Sequence, residues 1–276
     1  MRRLGLLVVC LSMAVAAHAN IDTGFETPDY NGSAGGTMLT GQQGWYNPVS
    51  GSADFSVYTY AGNTWAVPQN PTGGSQFVGG RMAGNAAFAR AQHDIDWTAS
   101  NVWTVAYDIC GKYTGTLPTA DNLGSFSMQP STTARFWQTV FQWMDPNTAT
   151  QWKTGYFTQE YPSTGVPVIP GPAWQNLAVD HWYRESTTFR LSDNLIMSVS
   201  ITDLSNGQTS TVDSPGWHLV SQSGQPTGFR FFTGGGAGTN PPGNLTAWDN
   251  LRIVPEPGSL LVLALGWGVL ALRRGR

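Results

Sequence analysis

Hydrolysis of a glycosidic bond takes two carboxyl groups, one protonated and one ionised, about 5–9 Å apart. In the stretch His93-Asp94-Ile95-Asp96-Trp97, Asp94 and Asp96 are two residues apart. On a strand that spacing projects both to one face. Between Asn20 and Ile253 there are three glutamates, Glu26, Glu160 and Glu185, and only Glu26 has carboxylates within four residues, Asp22 and Asp29. Asp94, Asp96 and Glu185 are therefore the acids that a glycosidase or polysaccharide lyase would use. Asp94 and Asp96 read first as turn or strand-end residues, and the catalytic role is the alternative. No Gly-x-Ser-x-Gly nucleophile elbow occurs, and His93, His181 and His218 lie far apart beside apolar residues. Neither His-x-His nor Cys-x-x-Cys spacing offers a zinc site.

Sugar binding asks for less: an exposed ring whose apolar face stacks on sugar C–H groups, with polar neighbours to read the hydroxyls. The loop aromatics Trp45, Tyr46, Trp65, Trp174 and Trp217 are the candidates. Trp174 follows Pro170-Gly171-Pro172, a frame expected to hold its ring outward at little entropic cost. Core packing is the competing role for each of the five.

The elements that must position these residues read as strands. DFSVYTY from Asp54, SQFVGG, AAFARAQHDI, NVWTVAYDIC, RFWQTVFQWM, QWKTGYFTQ, HWYRESTTFRL, NLIMSVSITDL, QTSTVD, GFRFFT and AWDNLRIV follow one another with turn signals between them. In NVWTVAYDIC, Trp103, Val105, Tyr107 and Ile109 fall on one face. RFWQTVFQWM is apolar on both faces, as a central strand would be. In NLIMSVSITDL the alternation places Leu195, Met197, Val199 and Ile201 on one face and Ser198, Ser200 and Thr202 on the other. Ser205-Asn206-Gly207 then turns the chain into QTSTVD as a hairpin. No segment of the region carries helical spacing over eleven or more residues. About a dozen strands predict an all-β, two-sheet antiparallel sandwich. Two proline- or glycine-rich stretches, YPSTGVPVIPGPAW from Tyr161 and GGGAGTNPPGN from Gly234, read as long exposed loops.

Composition agrees. Charged residues are 11% of the chain and aromatics 12%, with 12 Trp and 33 Gly, which favours strands and turns over helices. From Asn20 to Ile253, nine Lys or Arg oppose sixteen Asp or Glu, a net charge of −7 with His neutral, and Lys112 and Lys153 are the only lysines. That is the wrong balance for a nucleic-acid binder. Cys110 is the only cysteine of this region, so no disulfide staples it, and it reads as a buried small side chain.

The two ends read as addresses. Residues 1–19 run from Arg2 and Arg3 through an apolar core to Ala17-His18-Ala19, the order of a secretory signal peptide cleaved after Ala19. Residues 254–276 hold Pro255-Glu256-Pro257, an apolar run from Gly258 to Leu272, then Arg273, Arg274 and Arg276. Fifteen helical residues cover roughly 22 Å, short of the ~30 Å hydrocarbon core. The flanking prolines keep Glu256 extended and open to an enzyme. This tail resembles the PEP-CTERM sorting signal of Gram-negative bacteria. The resemblance implies signal peptidase and an exosortase-type transpeptidase as partners, transient anchoring through a short C-terminal helix, and delivery to the cell envelope or extracellular matrix.

The region between, residues 20–253, resembles the concanavalin A-like lectin/glucanase jelly rolls. The likeness is carried by IDTGFETPDYNGSAGGTMLTGQQGW at the start, WYRESTTFRLSDNLIMSVSITDLSNGQTS in the middle and FRFFTGGG with AWDNLRIV at the end. The galactose-binding-like sandwich shares the opening Gly-Phe-Glu and an Asp-containing last strand. Glucanases of the jelly-roll class carry a Glu-x-Asp-x-x-Glu strand, which this sequence lacks. Both resemblances imply adjacent first and last strands and a structural calcium there, with Asp22 or Glu26 near Asp249 and Asn250; otherwise Glu26 and Asp249 cap turns or pair with Arg252. The expected function is a non-catalytic, structural or glycan-contacting exported sandwich with exopolysaccharide as partner and no cofactor beyond that calcium. The alternative is a divergent glycoside hydrolase or polysaccharide lyase.

Overall fold

The computed structural model describes residues 21–256 except 82–87, 116, 118–119, 130–133, 222–224 and 235–242. In chain order the strands are β1 (Ile21–Thr23), β2 (Thr37–Met38), β3 (Ala53–Thr59), β4 (Gln76–Arg81) and β5 (Ala89–Asp94). There follow β6 (Val102–Tyr113), β7 (Asn122–Gln129), β8 (Trp137–Trp143), β9 (Gln151–Phe157) and β10 (Leu177–Ala178). The last five are β11 (Trp182–Arg190), β12 (Leu195–Asp203), β13 (Gln208–Asp213), β14 (Gly228–Thr233) and β15 (Asn244–Pro255). Only two 3₁₀ turns interrupt them among the described residues, at Trp97–Ala99 and Pro172–Trp174.

The strands form a two-layer sandwich. One layer has the order β3-β4-β15-β6-β11-β12-β13 and the other β10-β9-β8-β7-β14-β5. Apart from one seam, the named strands pair antiparallel; at that seam β3 meets β5 in parallel through Ala53↔Ala89 and Asp54↔Arg90, so the sheet curls over on itself. Aromatic side chains fill the space between layers. Trp248 of β15 stacks on Phe231 of β14 at 4.4 Å between centroids, and Tyr107 of β6 on Phe126 of β7 at 4.8 Å. Trp152 of β9 meets Tyr183 of β11 edge-on at 5.6 Å. The four residues expected on one face of β6, Trp103, Val105, Tyr107 and Ile109, all belong to this core. Burial of such large rings is the main drive that holds the layers together.

Three local departures from the alternation have physical causes. In β12 the register steps from Thr188↔Ser198 to Phe189↔Ile196, leaving Met197 as the extra residue of a bulge. The buried set is therefore Ile196, Val199 and Ile201, and not the strict alternation through Leu195 and Met197. The β12–β13 turn forms as expected, with positive φ at Gly207 and its N–H donating to Asp203 O. β7, NLGSFSMQ, has few of the β-branched and aromatic residues that mark a strand, and its signal is the alternation of Phe126 and Met128 with Ser125 and Ser127. Its Gly124 meets a close approach: a Cβ there would sit 2.6 Å from Phe232 O and 2.8 Å from Thr246 Cγ2.

β1 pairs with β15 through Ile21↔Ile253 and Thr23↔Leu251, so the first and last strands are adjacent. β15 continues through Pro255, after which Glu256 N–H donates to Val102 O at 2.9 Å and Thr104 Oγ1 donates to Glu256 Oε1 at 2.6 Å. Ala17, Ala19, Pro257, Arg273 and Arg274 lie outside the described residues, as does most of the glycine-rich stretch after Gly234.

Candidate functional site

Alternation in the β8-β7-β14-β5 half of the sandwich sends aromatic residues inward and a polar set outward. From β14, Phe229 and Phe231 enter the core while Arg230 and Phe232 face away; from β7, Phe126 and Met128 go in while Ser125, Ser127 and Gln129 face away. From β8, Trp137, Phe141 and Trp143 go in while Gln138, Val140 and Gln142 face away. Register aligns the outward residues in rows. One row runs Gln92, Arg230, Ser127, Gln138; the next runs Arg90, Phe232, Ser125, Val140. Together with Arg135, Asp121, Asn122, Thr164 and Gly165 these strands line a cavity of about 440 Å³. β8, the Trp137–Trp143 part of RFWQTVFQWM, is thus buried throughout as a central strand is, yet its outward face is two glutamines and a valine rather than apolar.

Hydrogen bonds hold the polar lining in place. Arg230 donates through Nε and Nη2 to Gln92 Oε1 at 3.1 and 2.7 Å. Gln92 Nε2 donates to Tyr46 Oη, which donates to Asp94 Oδ1, both at 2.7 Å. At one end Arg135 Nη1 donates to Gln138 Oε1 at 2.5 Å, and at the other Gln142 Nε2 donates to Asp121 Oδ2 at 3.2 Å. Arg90 lies over the Phe88 ring at 3.9 Å and the Phe232 ring at 5.5 Å. Its Nε has no hydrogen-bond partner, and it makes no ion pair among the described residues.

The electrostatics follow from crowding three guanidiniums. Burial pushes Arg230 down to about 10, with the charges of Arg90 and Arg135 adding to the shift. Burial and then Arg135 lower Arg90, and burial lowers Arg135. Asp121 is the only acid in the described lining. All three arginines remain charged at neutral pH, since even a lowered guanidinium stays above it.

No known protein-family model matches the sequence, and no curated relative matches it. Solved structures of similar chain path exist. Lectin UEA-II complexed with galactose has a TM-score of 0.46 at 9% identity, over 85% of this chain and 97% of that one. The carbohydrate esterase of Shiga toxin-encoding bacteriophage phi24B has 0.45 at 12%, over 78% and 91%. The PL-14 alginate lyase of Aplysia kurodai has 0.39 at 10%, over 68% and 86%.

The loop aromatics expected to form a platform are placed otherwise. Trp174 is 2% exposed; its Nε1 donates to Tyr156 Oη at 3.2 Å, because the proline frame and the 3₁₀ turn fold the ring into the core rather than outward. Trp45 is also in the core, 4.9 Å from Phe231, with Nε1 donating to Tyr30 Oη. Trp65 is half-buried under Arg81, whose guanidinium lies 4.5 Å from the ring centroid. Trp217 is half-buried between Tyr156 and Tyr161. Tyr46 alone joins the network behind the cavity. The ring that does line the cavity is Phe232, and the residues missed from sequence are Arg90, Arg135 and Arg230. Their signal was the arginine set between phenylalanines in GFRFFT, where a period of two separates the faces.

The acids are equally dispersed. Asp94 ends β5, and Asp96 caps the turn at Trp97, accepting from Thr98 N and Oγ1. Glu185 is 1% exposed, between the layers, where Tyr107 Oη donates to its Oε2 at 3.3 Å; burial pushes its pKa up to about 8. None of the three lines the cavity. Cys110 is buried, and burial raises its thiol well above the usual range. His218 Nδ1 pairs with Glu160 Oε1 at 2.7 Å on the surface.

The residues proposed for calcium do not fit a cation. Glu26 accepts from Ser75 N, Gln76 N and Ser75 Oγ, which makes it the cap of that turn. Asp249 accepts from Tyr60 Oη, Asn70 Nδ2 and Asn250 N. Burial raises its pKa to about 7. Beside it, buried Asp108 takes Arg184 Nε and Nη2 at 2.7 and 2.9 Å and the Nδ2 groups of Asn70 and Asn250 at 2.8 and 2.7 Å. Calcium requires oxygen ligands, and here N–H and O–H donors already face the carboxylate oxygens while Arg184 supplies the positive charge. No group of three acidic or metal-ligating side chains occurs among the described residues. Arg252 pairs with Asp22, loosely, at 3.7 Å.

Proposed function

We propose that this chain is an exported, non-catalytic β-sandwich that contacts glycan through the cavity of β5, β14, β7 and β8, and that its tail delivers it to the cell envelope or the extracellular polysaccharide matrix. The observation that carries the glycan reading is the cavity lining: one aromatic ring, Phe232, among hydroxyls, side-chain amides and guanidiniums held on rigid strands. A ring face packs on sugar C–H groups, and fixed donors and acceptors of this kind read sugar hydroxyls. The volume lies in the range of small-ligand sites. The absence of a second acid beside Asp121 in the described lining speaks for binding over two-carboxylate hydrolysis.

For delivery, signal peptidase acts after Ala19, and an exosortase-type transpeptidase meets Pro255-Glu256-Pro257 at the end of the sandwich, with Arg273 and Arg274 keeping the tail's end on the cytoplasmic side. The test is a pull-down of the mature domain on the exopolysaccharide of its own cell, together with mass analysis of the chain from each cell fraction. Retention that Phe232→Ala reduces by about tenfold is expected, from a chain that begins at Asn20. Lack of retention by the wild type removes the glycan reading. An intact, unprocessed chain in the cytosol removes the delivery reading.

A further inference from the structure

The cavity carries more than a sugar's hydroxyls need. The region from Asn20 to Ile253 has seven arginines and a net charge of −7, yet three of those arginines, Arg90, Arg135 and Arg230, share one concavity with a single acid in the described lining. Like charges placed together cost energy unless something offsets them. Elsewhere two arginines are offset at close range, Arg184 forked on Asp108 and Arg190 on Asp193 at 2.9 and 2.6 Å, while Arg81 stands by itself over Trp65 rather than in a cluster. In the cavity Arg230 donates to Gln92 Oε1 and Arg135 to Gln138 Oε1, neutral oxygens that orient a guanidinium. Arg90 presents its charge between two phenyl rings, with its Nε unbonded.

We propose that the cavity recognises an acidic polysaccharide, setting the anionic groups of successive residues against Arg90, Arg135 and Arg230 while a sugar ring lies on Phe232. This rests on the glycan reading above and adds the charge of the ligand. A planar guanidinium fork matches a carboxylate or sulfate with two parallel hydrogen bonds. The negative charge of the rest of the domain repels polyanions at long range, so binding is local to the cavity and not a general attraction.

The experiment is affinity electrophoresis of the mature domain through gels containing polygalacturonate, alginate, dextran sulfate or neutral dextran, in about 50 and about 500 mM NaCl. The expected result is retardation by acidic polymers at low salt, a drop of about tenfold or more at high salt, and none by dextran. Arg90→Gln and Arg135→Gln each weaken retardation by about tenfold. Gln138→Glu, nearly isosteric and placed to pair with Arg135, does the same without disturbing the fold, which thermal melting checks. Retardation by dextran equal to that by the acidic polymers overturns the charge inference and leaves the glycan reading standing. Retardation by acidic polymers that all three folded variants retain places binding elsewhere and overturns it. Retardation by no polymer, with no retention on the native exopolysaccharide, removes both. Retardation by dextran sulfate alone overturns the assignment to a polysaccharide in favour of a generic polyanion.

Discussion

Arg184 and Arg90 are both strand arginines on the outward faces of their layers, yet they differ in what surrounds them. Arg184 of β11 meets fully buried Asp108 of β6 in a bidentate pair, and that hydrogen bonding raises its pKa. Arg90 of β5 meets the rings of Phe88 and Phe232 and the charge of Arg135, and burial lowers its pKa. The first arginine is consumed by the fold. The second remains available to something the fold does not contain. An arginine forked on a buried acid fills a would-be cation site, as Arg184 on Asp108 beside Asp249 shows; in the proposal above, the clustered arginines of the cavity meet an anionic ligand instead.

Five substitutions test that contrast. Asp108→Asn strands Arg184, with the amides of Asn70 and Asn250 left facing another amide, and is expected to cost about 3–5 kcal/mol, lowering Tm by roughly 10 °C. A loss under about 1 kcal/mol would erase the distinction between the two settings. Trp174→Ala removes a ring from the core and is expected to cost about 3 kcal/mol. Phe232→Ala, at the cavity wall, serves as its control: urea unfolding should show a clearly smaller loss for the cavity ring.

Glu185 extends the comparison to a buried acid with no cation beside it. Its folded pKa, about 8 through burial, lies above the unfolded value of about 4.3. The folded state therefore holds a proton that the unfolded chain releases, and stability falls as pH rises through that window. Asp249, raised to about 7, acts in the same direction. Glu185→Gln is expected to match the wild type at pH 5 and to exceed it by about 3 kcal/mol at pH 8. Parallel melting curves at both pH values would show that this carboxyl is not titrating between the layers. The smallest effect belongs to Arg90→Gln. Loss of its stacking on Phe88 and relief of repulsion from Arg135 oppose each other, so stability should move by less than about 1 kcal/mol. A larger loss in calorimetry would make Arg90 a structural residue after all.

Much of the sandwich was legible because its signals are local. The alternation in NVWTVAYDIC located both β6 and its core face, and Asn-Gly located the β12–β13 turn. β12 showed the limit: its pattern fits a strict period of two, and the bulge at Met197 lets Phe189 and Ile196 pair and both enter the core, where Phe189 meets Trp137 of β8. Trp174 showed another. Prolines fix the backbone near a ring but not the side on which the core lies.

What the sequence determined by itself was the class of fold and most strand positions, since propensity, alternation and turn chemistry act over a few residues. The tertiary structure alone decided which outward face is concave and which residues meet there. Arg90, Arg135 and Arg230 come from β5, the approach to β8 and β14, and they converge because the strand order β8-β7-β14-β5 sets residues far apart in the chain side by side. That order is chosen by the fit of large aromatic side chains between the layers, a property of the whole core that no short window of sequence contains.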